Sequence, residues 1–142
     1  MLVTGITACS KGLWERPRPY AYNTRVPLRK RGSRYAFESF WSGHASVSFT
    51  NAVLAGYLFQ HRFPDSRFVL PVWVTGMSLA SVTSILRVRS GYHFPTDVIA
   101  GAAVGSFIGW FVPWMHREKQ GRIGYSILLE EGEIYLAVER RL

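Results

Sequence analysis

Cysteine is almost absent from this chain. A single residue, Cys9, among 142 excludes a disulfide within one molecule, so its expected role is that of a small apolar side chain. Carboxylates are scarce too: nine Asp and Glu stand against seventeen Lys and Arg, giving a formal charge of +8 and an isoelectric point near 10.2. A short basic chain first raises nucleic-acid binding, but the charge is unevenly spread. It is missing from residues 68–86 and 98–115, each close to the roughly 20 residues that cross a bilayer core. A third uncharged run, 45–60, is slightly shorter. Internal repeats and low-complexity tracts are also lacking.

These runs are rich in small residues, among them Gly76, Ala80, Gly101, Gly105 and Gly109, which let membrane helices approach closely. Trp110, Phe111 and Trp114 stand near the end of the last run, where an interfacial aromatic belt belongs. Buried helices of a soluble domain are the competing reading, but so short a chain has little polar helix surface with which to cover three of them. The expectation is an all-α transmembrane helical bundle with about three spanning helices, at residues 44–60, 68–87 and 95–115. Residues 1–116 form the membrane core and 117–142 a polar tail, in which Tyr125–Leu129 and Glu133–Val138 suit a short β-hairpin around Glu131-Gly132. Residues 1–10 are apolar but too short to span, and read as the last turns of a helix whose start is missing. Residues 15–40 form a long, basic, proline-containing connection, and its length suggests a function.

Short connections at 61–67 and 88–94 make successive helices antiparallel, which brings three polar clusters to one membrane face. Lys11, Arg18 and Arg87 supply fixed positive charge for phosphate oxygens. Ser42 and Gly43 precede a helix starting near His44, and helix N-termini favour anions. His93 and Asp97 are four residues apart with Pro95 between them, a spacing that puts the carboxylate near the imidazole and makes the pair a nucleophile with its orienter. His44 is then the general acid to the leaving oxygen. The inventory calls for no metal ion and no cofactor. Taken singly, each element has a plainer reading: Lys11 and Arg18 as interfacial anchors, Ser42 as an N-cap, and His93 with Asp97 as a helix-start hydrogen bond. Arg16 and Arg89 occupy no position that the clusters require, and Glu15 and Glu38 have no partner at an informative spacing. Arg25, Arg29, Lys30, Arg31 and Arg34 read first as a solvated face and second as a headgroup-binding surface.

At these residues the chain resembles the type 2 phosphatidic acid phosphatase superfamily, which includes the vanadium-dependent haloperoxidases. Lys11, six residues, then Arg18-Pro19 match its first motif; Ser42-Gly43-His44 match the second, with Trp41 where proline is usual; Arg87, five residues, His93, three residues and Asp97 match the third, with Leu86 in place of the usual serine. The resemblance implies a phosphohistidine on His93, support from Asp97, protonation by His44, and phosphate binding by Lys11, Arg18, Ser42, Gly43 and Arg87. It also implies a bundle of about six spanning helices, of which this chain would hold the C-terminal half.

The function expected is a metal-independent hydrolase of a lipid phosphate or diphosphate in the inner or plasma membrane. The alternatives are a vanadate-dependent haloperoxidase and a noncatalytic lipid-phosphate-binding fragment. Nucleic acid is not an expected partner, because the phosphate cage and the membrane flanks account for much of the charge. Lys and Arg are shared too evenly between the two faces for the positive-inside rule to orient the chain. A periplasmic or external site follows from the resemblance alone.

Overall fold

The computed structural model describes residues 2–116, together with the backbone of residues 122–130 and 133–141. Among the described residues five α-helices follow one another as α1 (Leu2–Leu13), α2 (Leu28–Arg31), α3 (Gly43–Arg62), α4 (Val69–Arg89) and α5 (Pro95–Met115). Between α1 and α3 the chain forms a strap that includes α2 and two 3₁₀ turns, Pro19–Tyr22 and Arg34–Phe37. Pro17, Pro19 and Pro27 keep this stretch from becoming a continuous helix.

α3 is the central element. It packs against α4 on one side and α5 on the other, while α4 and α5 scarcely touch. Its contact with α5 runs along Gly101, Gly105 and Gly109, one residue per turn on a single face. A β-carbon at these positions would stand 2.6, 2.2 and 2.6 Å from the carbonyl oxygens of Ser42, Ser46 and Thr50, so only glycine permits this approach. The Thr50 hydroxyl lies 2.8 Å from the Ser46 oxygen and 3.0 Å from that of Gly105, so its proton is shared across the seam. On the other side, Trp73 covers Gly56 and its indole donates to Gln60 Oε1 at 3.0 Å.

Among the described residues two helices, α4 and α5, are long and apolar enough to cross a membrane. Many of their apolar side chains stay outside the bundle, with Leu70 and Ile99 among the most exposed, as lipid-facing helices require. Exposed apolar helices of this length suit an integral membrane protein. α3, expected as a third span, has the length but is not among the helices that apolarity alone would place across a bilayer. The reason is the polar set Ser46, Thr50, Asn51 and Gln60, part of which serves helix packing.

Helix starts follow local chemistry. Ser42 is the N-cap of α3, its hydroxyl accepting the Ala45 N–H at 3.4 Å. Pro95 opens α5, and the Asp97 carboxylate accepts the Phe94 N–H at 2.9 Å. Beyond α5, backbone strands β1 (Arg122–Glu130) and β2 (Glu133–Arg141) pair antiparallel, with Glu130 opposite Glu133. The turn expected at Glu131-Gly132 lies outside the described residues.

Candidate active site

The strap folds across the ends of the helices so that its two limbs lie side by side. Ser39 N–H donates to the Arg16 oxygen at 3.0 Å and Arg18 N–H to the Ala36 oxygen at 2.7 Å. The α4–α5 connection joins this layer through Gly91, whose φ of +70° suits glycine and whose carbonyl accepts the Tyr20 N–H at 3.0 Å. In the same connection the Arg87 carbonyl accepts from both Tyr92 and His93. The third motif is thereby a closed turn with its arginine and histidine tied together.

His93 is buried, 2 % exposed. Its Nδ1 lies 2.9 Å from the Ser39 carbonyl oxygen and 3.8 Å from Asp97 Oδ2. The carbonyl can only accept, so Nδ1 carries the proton in the neutral ring and Nε2 keeps its lone pair. Burial and then the positive charge of Arg18 lower the His93 pKa from 6.5 to about 4; the Ser39 carbonyl and Asp97 oppose that fall and Lys11 adds to it. The imidazole is therefore neutral across the physiological range.

Asp97 has no exposed surface. Arg16 Nη1 pairs with Oδ1, while Ser39 Oγ at 2.5 Å and Phe94 N at 2.9 Å donate to Oδ2. The expected neighbourhood of His93 and Asp97 is present, yet the orienting hydrogen bond on His93 comes from a backbone carbonyl. Of the plainer readings, Ser42 is an N-cap, while the helix-start hydrogen bond of Asp97 is made to the Phe94 N–H and not to His93.

Arg18 is 1 % exposed and is not a free fork. Its Nε and Nη2 donate to the Tyr35 and Glu38 carbonyls at 2.8 and 3.1 Å, Nη1 stands 3.5 Å from that of Tyr92, and the guanidinium stacks 3.8 Å from the Tyr35 ring centroid. Part of its donor set remains for a ligand. Lys11, Gly43 and His44 line a cavity of about 450 Å³ between α1 and α3, with Thr7, Val47 and Ser48 among its other walls. The charges of Arg87, Lys11 and Arg18 all bear on His44. Residues from all three clusters are thus drawn together, with His44 exposed and Arg18, Ser42, His93 and Asp97 buried.

Arg16 and Ser39 are residues that sequence reasoning passed over. The one available signal was indirect, since a buried carboxylate needs a counter-charge, and nothing in the spacing points across 81 residues to Arg16. Glu38 does have a partner, Arg34, at 3.6 Å and helical spacing. Trp41, where the family usually has proline, donates from its indole to the Thr7 hydroxyl at 3.1 Å and so ties the second motif to α1.

The sequence model of the PAP2 superfamily matches residues 1–120. Among curated proteins, a lipid A 4'-phosphatase of Porphyromonas gingivalis is 28% identical over 113 residues, covering 79% of this chain and 43% of its own length. A lipid A 4'-phosphatase of Bacteroides thetaiotaomicron is 32% identical over 94 residues, 66% of this chain and 37% of its own. A lipid A 1-phosphatase of P. gingivalis is 34% identical over 89 residues, 61% of this chain and 18% of its own. The chain spans less than half the length of each of these relatives. No solved structure matches it.

Proposed function

Since the chain belongs to the PAP2 superfamily, we propose that it is a membrane phosphatase whose substrate is a lipid phosphate, with residues 1–116 as its catalytic core. The observation that carries the reading is the state of His93: buried, neutral, its Nδ1 proton given to the Ser39 carbonyl, and Nε2 left as a nucleophile. α3, α4 and α5 then stand as three spans, and the site lies in the headgroup layer on the periplasmic or external face. A lipid there keeps its tails in hydrocarbon while its phosphate enters the polar layer. The names of the relatives make lipid A the first lipid to try.

In the proposed reaction Lys11, Arg18 and Arg87 offset the charge of the phosphate oxygens, aided by the first-turn amides at Gly43 and the Ser42 hydroxyl. His93 Nε2 attacks phosphorus, a P–N bond forms, and the P–O bond to the lipid breaks. The departing oxygen takes a proton from His44. The phosphohistidine ring is cationic while Nδ1 keeps its proton, and the Ser39 carbonyl and Asp97 stabilise that charge. Water then returns a proton to His44 and attacks phosphorus; the P–N bond breaks, inorganic phosphate leaves, and His93 is neutral again. No step uses a metal ion.

The test is phosphate release from lipid A and from phosphatidic acid by detergent-solubilised protein in EDTA. Release is expected to persist in EDTA and to vanish in His93→Ala. Unchanged release by that variant would remove His93 as the nucleophile, and no release by the wild-type protein would overturn the phosphatase reading.

A further inference from the structure

Asp97 is surrounded by donors, yet His93 is not one of them. Arg16 takes Oδ1; Ser39 Oγ and Phe94 N take Oδ2. At 3.8 Å from Oδ2, His93 Nδ1 is outside hydrogen-bond range, whereas at 2.9 Å from the Ser39 oxygen it is well within it. Ser39 is held at three points: its N–H on the Arg16 carbonyl, its hydroxyl on Asp97, and its carbonyl on His93. It has no exposed surface. Arg16 is fixed in turn by Thr96 Oγ1 at 2.9 Å and by its place over the Phe94 ring, 4.5 Å from the centroid.

We infer that Ser39 and Arg16 are positioning residues, through which the buried carboxylate of Asp97 acts on His93 by way of the Ser39 carbonyl instead of by direct contact. The inference deepens the phosphatase reading and rests on it for the role of His93. Two consequences distinguish the arrangement from a directly bonded pair. Arg16 neutralises part of the carboxylate charge, so His93 feels a muted anion. The Ser39 hydroxyl occupies Oδ2, so the carboxylate is not free to take the Nδ1 proton itself. The other charges bearing on His93 are Lys11 from α1 and Arg18 from the strap, and neither contacts Asp97.

A purely structural role, that of a counter-ion and a lid for a buried acid, would show as lost stability alone. The proposal adds a titration signature. With the chain labelled with ¹⁵N-histidine in detergent micelles, four histidine rings are followed against pH, and His93 is assigned from the signal lost in His93→Gln. In Arg16→Met and in Ser39→Ala the His93 midpoint is expected to rise by about one pH unit, because the carboxylate is unmasked or freed toward Nδ1. Arg16→Lys should hold it near the wild-type value.

Hydrolysis of lipid A is the second arm. Ser39→Ala should lower kcat about tenfold or more, the rate equivalent of one hydrogen bond to a charged group, with KM little changed. A His93 midpoint that stays put in both Ser39→Ala and Arg16→Met, in protein of native helicity, overturns the inference. Retained hydrolysis by His93→Gln overturns the nucleophile role of His93, whereas no hydrolysis by the wild-type protein overturns the phosphatase reading and leaves the titration result standing.

Discussion

In the proposed reaction His93, as nucleophile, and His44, as general acid, carry opposite demands, and single residues are the scale at which they are tested. The His93 ring is lowered to a pKa of about 4 by burial and Arg18; a nucleophile must be unprotonated, so activity is present above that value and is lost as pH falls through it. The acidic limb of kcat/KM that belongs to this group is expected near pH 4, measured with the wild-type protein and with a substrate whose own ionisation is known. A limb near pH 6.5 would mean that the ring titrates as an exposed one. For the general acid, His44→Ala should slow alkyl phosphates by about 10² to 10⁴ and activated aryl phosphates much less, because only the former need a proton on the leaving oxygen. Comparable losses for both substrates would remove His44 from that role. Most of the residues that the structure draws together here were legible in the sequence, because the motif residues declare themselves by type and spacing. Ser39 and Arg16 were not, since what marks them is a carboxylate brought to them from 58 and 81 residues away by the strap.

At the scale of elements, the decisive contacts are made by residues with no side chain to read. The α3–α5 seam closes on Gly105, where a β-carbon would lie 2.2 Å from the Ser46 oxygen. Gly105→Val is expected to force the helices apart and cost about 1 to 3 kcal/mol or the fold itself, seen as a lower denaturation temperature in detergent. Gly5→Ala on α1 meets nothing within 4 Å and is the matched control, expected to be neutral or slightly stabilising. Gly91 is a different case. An added β-carbon there has room, 3.9 Å from Tyr20, but φ of +70° is strained for any other residue, so Gly91→Ala should cost about 1 to 2 kcal/mol. The abundance of small residues announced close packing in the sequence, yet it did not say which helix each would face. α3 was read as a span from its missing charge; its serines, threonine and amides are visible in the sequence, but only the packed structure shows Thr50 serving the contact with α5.

Across the whole molecule, the outward apolar faces of α4 and α5 set the environment. The chain is expected to remain with the membrane fraction after an alkaline carbonate wash and to leave it only in detergent; release by the wash would show that these faces are covered by protein. The strap behaves differently from the helices beneath it. Few of its apolar side chains are buried, Tyr20 and Ala36 chief among them, and it is fastened by Arg16 and Ser39 on Asp97 and by Tyr20 on Gly91. Local segments held by few apolar contacts open before the core does. The molecule should therefore come apart in a fixed order: as a denaturing detergent is raised, the proposed hydrolysis stops while helicity is still intact, and on dilution the chain regains its helices before that activity.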